Sequence, residues 1–203
     1  MKALAKEPFN LIITGVGGQG VASIAQLVGR ALLREGYLVN VGDIYGITQR
    51  GGSIVSHVRV SGETSCGPLI PQGKGDAVLG LEPMETLRAL VQFGNPGVTT
   101  IANLRPVYPI GVISGEEKYP DLERVAQAIK RLSARCWLVD ASQEAARLGN
   151  PILVNMLLMG ALIGSGLLPL GRESVEPILR EEFPEDKFNT NLKAFNLGME
   201  FLK

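Results

Sequence analysis

Residues 10–20 read NLIITGVGGQG, a short apolar run over 11–13 that breaks into a glycine-dense turn. Glycines at 15, 17, 18 and 20 leave little side chain over that turn, and a helical apolar pattern follows it. Backbone N–H groups in such a turn can approach an anion, and the helix behind it aims its positive end at the same point. The spacing Gly15-x-Gly17-x-x-Gly20 fits the dinucleotide fingerprint, whose glycines allow the tight turn, the approach of a pyrophosphate and close helix–strand packing. One such match leaves two readings open: a phosphate-binding loop, or a turn that another surface must approach closely.

Working outward, Val21, Ile24, Ala25, Leu27, Val28, Ala31 and Leu32 recur at helical spacing, so a helix is expected over 21–35 with Gly36 as its stop. Residues 37–41 then read as a second strand, a βαβ-like start for which a right-handed crossover is expected. Asp43 lies roughly twenty residues beyond the turn, where the fingerprint wants an acid for a ribose hydroxyl. An aspartate that closes a strand or caps a turn explains it as well. Residues 44–52, IYGITQRGG, are polar and glycine-rich. Loops that follow strands in open α/β sheets lie at the binding edge, so this one is expected beside the glycine turn. There Arg50 offers a planar fork for a phosphate or carboxylate, and Thr48 and Gln49 offer hydrogen bonds.

Residues 53–60 alternate as a strand, with Ile54, Ser56, Val58 and Val60 on one face and Val55, His57 and Arg59 on the other. His57 is the sole histidine, and no Ser, Cys or carboxylate stands at a motif spacing to recruit it, so it reads as structural. Residues 63–66 are expected to pair back as a short antiparallel strand. Further strands are expected over 76–81, 98–102 and 136–139. Helices are expected over 82–93, 121–133, 141–148, 151–163, 173–182 and 187–202, with a proline-rich connector over 104–115. Glu82 at the strand's end either faces the cleft or simply starts the helix. The pattern predicts one α/β domain over 1–203, a three-layer α/β/α, Rossmann-like, mostly parallel sheet with a short antiparallel addition, and C-terminal helices from about 151.

Twenty basic residues balance twenty acidic ones over 203 residues, so no net field draws the chain to nucleic acid or to an anionic membrane. The uncharged stretch 148–171 holds a Gly160/Gly164 pair. Pro151 starts a helix there, and Gly164, Gly166 and Pro169 end it short of the ~20 residues a span needs, so a buried or interface helix is expected. Cys66 and Cys136 are the two cysteines, without a CxxC, whereas an iron–sulfur cluster usually takes four thiolates. They read as reduced cytosolic thiols, and the N-terminus is too short and polar for a secretory signal. No Ser-His-Asp set, metal cluster or GxxxxGK[ST] loop is present, and Gly42-Asp43-Ile44 lacks the glycine of a thiamine-type segment. No catalytic residue or metal ligand is assigned. The chain reads as one that binds and positions something, with the reacting centre elsewhere.

Residues 10–20, together with Tyr45-Gly46-Ile47-Thr48-Gln49-Arg50-Gly51-Gly52, Ser56-His57-Val58-Arg59, Pro68-Leu69-Ile70-Pro71, Leu81-Glu82-Pro83 and Asn191-Leu192-Lys193-Ala194-Phe195, form an ordered series. The series resembles the gamma-type domain of 2-oxoacid:ferredoxin oxidoreductases over essentially the whole chain, and most nearly the small beta subunit of the indolepyruvate type. Cys66-Gly67 before Pro68 and Ile47-Thr48 in the loop depart from the usual pattern, where differences in oxoacid class would be expressed. The resemblance implies oxidative decarboxylation of a 2-oxoacid, such as indolepyruvate or another aryl pyruvate, with coenzyme A accepting the acyl group and ferredoxin the electrons. It implies thiamine diphosphate and iron–sulfur clusters on thiamine-binding and ferredoxin-like partner subunits, with none held by this chain alone, and a cytoplasmic complex; the isolated chain is expected to be inactive and is free to form a homodimer. By the same resemblance Gly15, Gly17, Gly18, Gln19, Gly20, Asp43, Tyr45, Thr48, Gln49, Arg50, Gly51 and Gly52 line a shared cleft. Two rivals stand beside it. One is an NAD- or FAD-binding oxidoreductase domain using Gly15, Gly17, Gly20 and Asp43; the other is an assembly module that docks through the apolar segment 151–168.

Overall fold

The computed structural model describes residues 2–46 and 52–202. Its centre is β1 (Phe9–Val16), buried at every position, as a strand covered on both faces must be. The other strands are β2 (Leu38–Tyr45), β3 (Ser53–Ser61), β4 (Ala77–Gly80), β5 (Thr99–Asn103) and β6 (Arg135–Val139), in the order β2-β3-β1-β4-β5-β6. Strands β1, β4, β5 and β6 pair in parallel, and β3 runs antiparallel between β1 and β2.

The three layers follow from alternation along the strands. Leu11 and Ile13 of β1 pack with Val58 and Val60 into one core, which is roofed by α1 (Val21–Arg34), α5 (Ala141–Arg147), α6 (Val154–Gly164), α7 (Arg172–Glu182) and α8 (Glu185–Met199). Ile12 and Val78 point the other way, into a second core under α2 (Pro83–Phe93) and α4 (Leu122–Leu132). A short helix α3 (Ile110–Ile113) lies in the connector between β5 and α4.

The mostly parallel three-layer sheet is the architecture the sequence predicts, but its antiparallel part differs. The antiparallel strand is β3, nine residues long and internal, and residues 63–66 form no strand. Both edges of β3 are already taken by β1 and β2, and Ser61 Oγ accepts the N–H groups of Glu63 (3.1 Å) and Thr64 (2.9 Å), which turns the chain away. β2 also runs past its expected end at residue 41, so Asp43, Ile44 and Tyr45 are strand residues.

The uncharged segment becomes α6, eleven residues long with eight of them buried. Its small residues serve an internal contact with α8. A Cβ on Gly160 would stand 2.1 Å from the Phe195 carbonyl oxygen, and one on Gly198 would stand 2.0 Å from that of Leu157. Among the described residues no helix is long and apolar enough to cross a membrane.

Candidate functional site

The carboxyl ends of β1, β4, β5 and β6 meet at one edge, the usual binding edge of an open α/β sheet. At the end of β1 the chain turns through Gly18 (φ 96°) and Gly20 (φ 86°), both left-handed, and enters α1. Gly15 and Gly20 are required by close approach as well. A Cβ on Gly15 would meet Gln19 Oε1 at 2.7 Å, and one on Gly20 would meet Asn155 Nδ2 at 2.8 Å.

Gln19 fills the turn from within. Val16 N–H donates to its Oε1 (2.7 Å), and its Nε2 donates to the Leu81 carbonyl at the end of β4 (3.2 Å). Gly17 N–H donates to Gly52 O (2.9 Å), and Gln19 N–H donates to Val16 O (3.1 Å). The N–H groups of Val16, Gly17 and Gln19 are therefore spent on the chain itself.

Asp43 accepts the Ser56 hydroxyl across the β2–β3 pair, and Tyr45 OH reaches it at 3.4 Å. That negative charge pushes the exposed Tyr45 phenol above its usual pKa. Because β3 separates β2 from β1, Asp43 stands two strand spacings, roughly 10 Å, from the glycine turn. The dinucleotide arrangement needs those two strands side by side, with the acid beside the turn. Together with the occupied turn, this removes the NAD or FAD reading.

Thr48, Gln49, Arg50 and Gly51 lie outside the described residues. The flanks of that loop do stand at the glycine turn, as expected: Gly52 bonds Gly17, and Gly46 N–H donates to Ser53 O (2.8 Å).

Two clefts open at this edge. The first, about 600 Å³, is walled by Gly18 and Gln19, by Arg105 and Val107 after β5, by Ser142 and Gln143 after β6, and by the turn Pro151–Leu153 that precedes α6. Asn103, 1% exposed, braces its floor by donating to Leu81 O (3.2 Å) and Ser142 Oγ (3.1 Å) and accepting from Ala141 N–H (3.1 Å). Arg105 and Gln143 were not singled out in the sequence, although the rule that selected residues 44–52 applies equally to the loops after β5 and β6.

The second cleft, about 450 Å³, lies across Val107 and is bounded by Val16, Ser53, Glu82, Glu85 and Tyr119. Glu82 does both things foreseen for it. It caps α2 by accepting Glu85 N–H (2.8 Å), and it faces the cleft, where Tyr119 OH donates to it. Burial pushes the Glu82 carboxyl up, and burial together with the Glu82 contact pushes the Tyr119 phenol up.

His57 lines neither cleft. Its Nδ1 accepts Ile70 N–H (3.1 Å), and its ring meets Phe93 edge-on at 5.0 Å, inside the second core. Burial pushes its pKa down. Among the described residues no group of three or more His, Cys, Asp or Glu is placed to hold a metal ion.

These features define an α/β domain that presents two clefts on one sheet edge. The pyruvate ferredoxin/flavodoxin oxidoreductase family matches residues 10–201, and the chain belongs to that family. It is 37% identical over 196 residues to the indolepyruvate oxidoreductase subunit IorB of Pyrococcus horikoshii, covering 96% of each chain. Its fold matches pyruvate oxidoreductase subunit PORC of Thermotoga maritima, with a TM-score of 0.69, 22% identity and 97% of each chain covered. It also matches a 2-oxoglutarate:ferredoxin oxidoreductase of Magnetococcus marinus, solved with 2-oxoglutarate, coenzyme A and succinyl-CoA bound, with a TM-score of 0.72 and 21% identity. That match covers 95% of this chain and 30% of the larger one.

Proposed function

We propose that the chain, acting as one domain over residues 1–203, is the small subunit of an indolepyruvate-type 2-oxoacid:ferredoxin oxidoreductase. Its complex would convert an aryl 2-oxoacid and coenzyme A into the acyl-CoA, carbon dioxide and reduced ferredoxin, in the cytoplasm. The observation that carries this reading is the 37% identity to an indolepyruvate oxidoreductase subunit across 96% of both chains. Thiamine diphosphate and the iron–sulfur clusters belong to partner chains. Cys66 on the loop after β3 and Cys136 within β6 are the only thiols here, too few for a four-thiolate cluster.

The part of this chain is to wall the cleft. The glycine turn and the first cleft form one surface on the carboxyl edge of the sheet, with Gly52 bonded to the turn. With the N–H groups of Val16, Gly17 and Gln19 occupied, the turn contributes shape: Gly18, with open space where a Cβ would stand, lets another surface come close. Arg105 and Gln143 supply the donors that a phosphate-bearing cosubstrate requires, and the first cleft is the side from which coenzyme A approaches.

Replacing Arg105 by Glu tests this in the assembled complex. The KM for coenzyme A is expected to rise about tenfold or more, because a cation that meets phosphate is replaced by an anion, with kcat changing less. An unchanged KM for coenzyme A in an active complex would remove the first cleft from its path.

A further inference from the structure

The second cleft holds a group that the reading above does not use. Glu85 stands in the first turn of α2 and lines that cleft, with its side chain 7% exposed. Its Oε1 takes the Arg88 guanidinium, whereas its buried Oε2 has no hydrogen-bond partner among the described residues. Both oxygens of the neighbouring Glu82 are engaged, one by Glu85 N–H and the other by Tyr119 OH. One acceptor thus remains open at the base of the cleft, and an unpaired buried carboxylate oxygen is costly enough to favour an incoming donor.

The charge balance says which donor. Glu85 takes the Arg88 guanidinium, Glu82 is held by Tyr119 OH and Glu85 N–H, and Glu117 and Lys118 offset one another, so the lining carries more carboxyl groups than cations and favours a cation. Two carboxylates fall short of a metal site, and no metal-holding group of three or more is placed among the described residues. Met84, Val107, Pro109 and Val112 add apolar wall, as the methylene stem of a long basic side chain needs. The cleft also opens on the sheet edge that the first cleft occupies, and the two share Val107.

We infer that this cleft is the socket for an arginine or lysine side chain of the partner oxidoreductase subunit, its charged head bonded to Glu85 Oε2 and its stem against Val107 and Val112. The inference rests on the subunit reading for the identity of the partner, but not for the chemistry of the socket.

The probe is n-butylguanidinium, titrated calorimetrically into the purified chain at low ionic strength. Saturable binding is expected, weakened about tenfold or more by Glu85→Gln, unaffected by Glu117→Gln, and absent for the neutral n-pentanol. The isolated Glu85→Gln chain is expected to melt no lower than the parent, so lost binding would not reflect lost folding. The assembled complex is expected to exclude the probe. Equal binding by the Glu85→Gln chain, no saturable binding, or a Glu85→Gln chain that melts lower would overturn the socket. Binding of the probe to the complex as tightly as to the free chain would overturn a partner side chain as the occupant, in favour of a free amine. A complex that turns over no oxoacid would count against the functional reading alone, since the titration of the free chain does not depend on it.

Discussion

Gln19 decides what the glycine turn can do. The glycine spacing alone leaves a pyrophosphate loop open, but Gln19 takes Val16 N–H and reaches Leu81 O, and Gly17 is held by Gly52. Gly15 and Gly20 were legible because a contact with Gln19 four residues on and a positive φ are local demands, whereas the approach of Asn155 to Gly20 is not. Gln19 was legible only as a member of the cleft, because its partner on β4 is 62 residues away along the chain. His57 carries the clearest pH signature. Its folded-state pKa is depressed by burial, so the unfolded chain binds the extra proton first, and stability falls as pH drops below the ordinary histidine value of ~6.5. Glu82 acts with the opposite sign: its raised pKa makes the folded state hold its proton longer, so stability falls as pH rises above the ordinary carboxylate range. Urea midpoints measured between about pH 7 and pH 5 should fall more steeply for the parent than for His57→Gln. Parallel curves would show that folding leaves the pKa of His57 unchanged.

At the scale of elements, the α6–α8 contact gives a prediction whose sign is unusual. An Ala for Gly exchange inside a helix ordinarily stabilises by about 0.5–1 kcal/mol. Gly160→Ala should instead destabilise by about 1–3 kcal/mol, because the new methyl would meet backbone of α8 at Phe195, which cannot rotate away. Gly29→Ala in α1 is the comparison, since its nearest neighbour is the side chain of Val41 at 3.1 Å. Chemical denaturation of both variants checks the pair, and a stabilised Gly160→Ala chain would contradict the packing. The elements themselves were readable from periodicity, but the place of β3 was not. A strand of alternating pattern with a turn at each end can sit at an edge or between two strands. Here the choice is made by β1 and β2 pairing with it along its full length, a non-local decision.

At the scale of the molecule, the sheet edge, its two clefts and the family membership give one account. On the proposed reading the chain would contribute walls and contacts, and the reacting groups would come from partner subunits. The resemblance carried by the ordered motifs reached the family directly, whereas Arg105 and Glu85 needed the topology that brings the ends of β1, β4, β5 and β6 together. Glu85 could be read in sequence only as a favourable acid near a helix start; its open oxygen depends on Arg88, Tyr119 and the connector closing over it. The most direct measurement is reconstitution: ferredoxin reduction by the purified chain, by the thiamine-binding subunit from the same source, and by the two together, with indolepyruvate and coenzyme A. The account predicts no turnover by this chain alone and full, coenzyme A-dependent turnover only when both are present. Turnover by this chain alone, or an undiminished rate without it, would contradict the account.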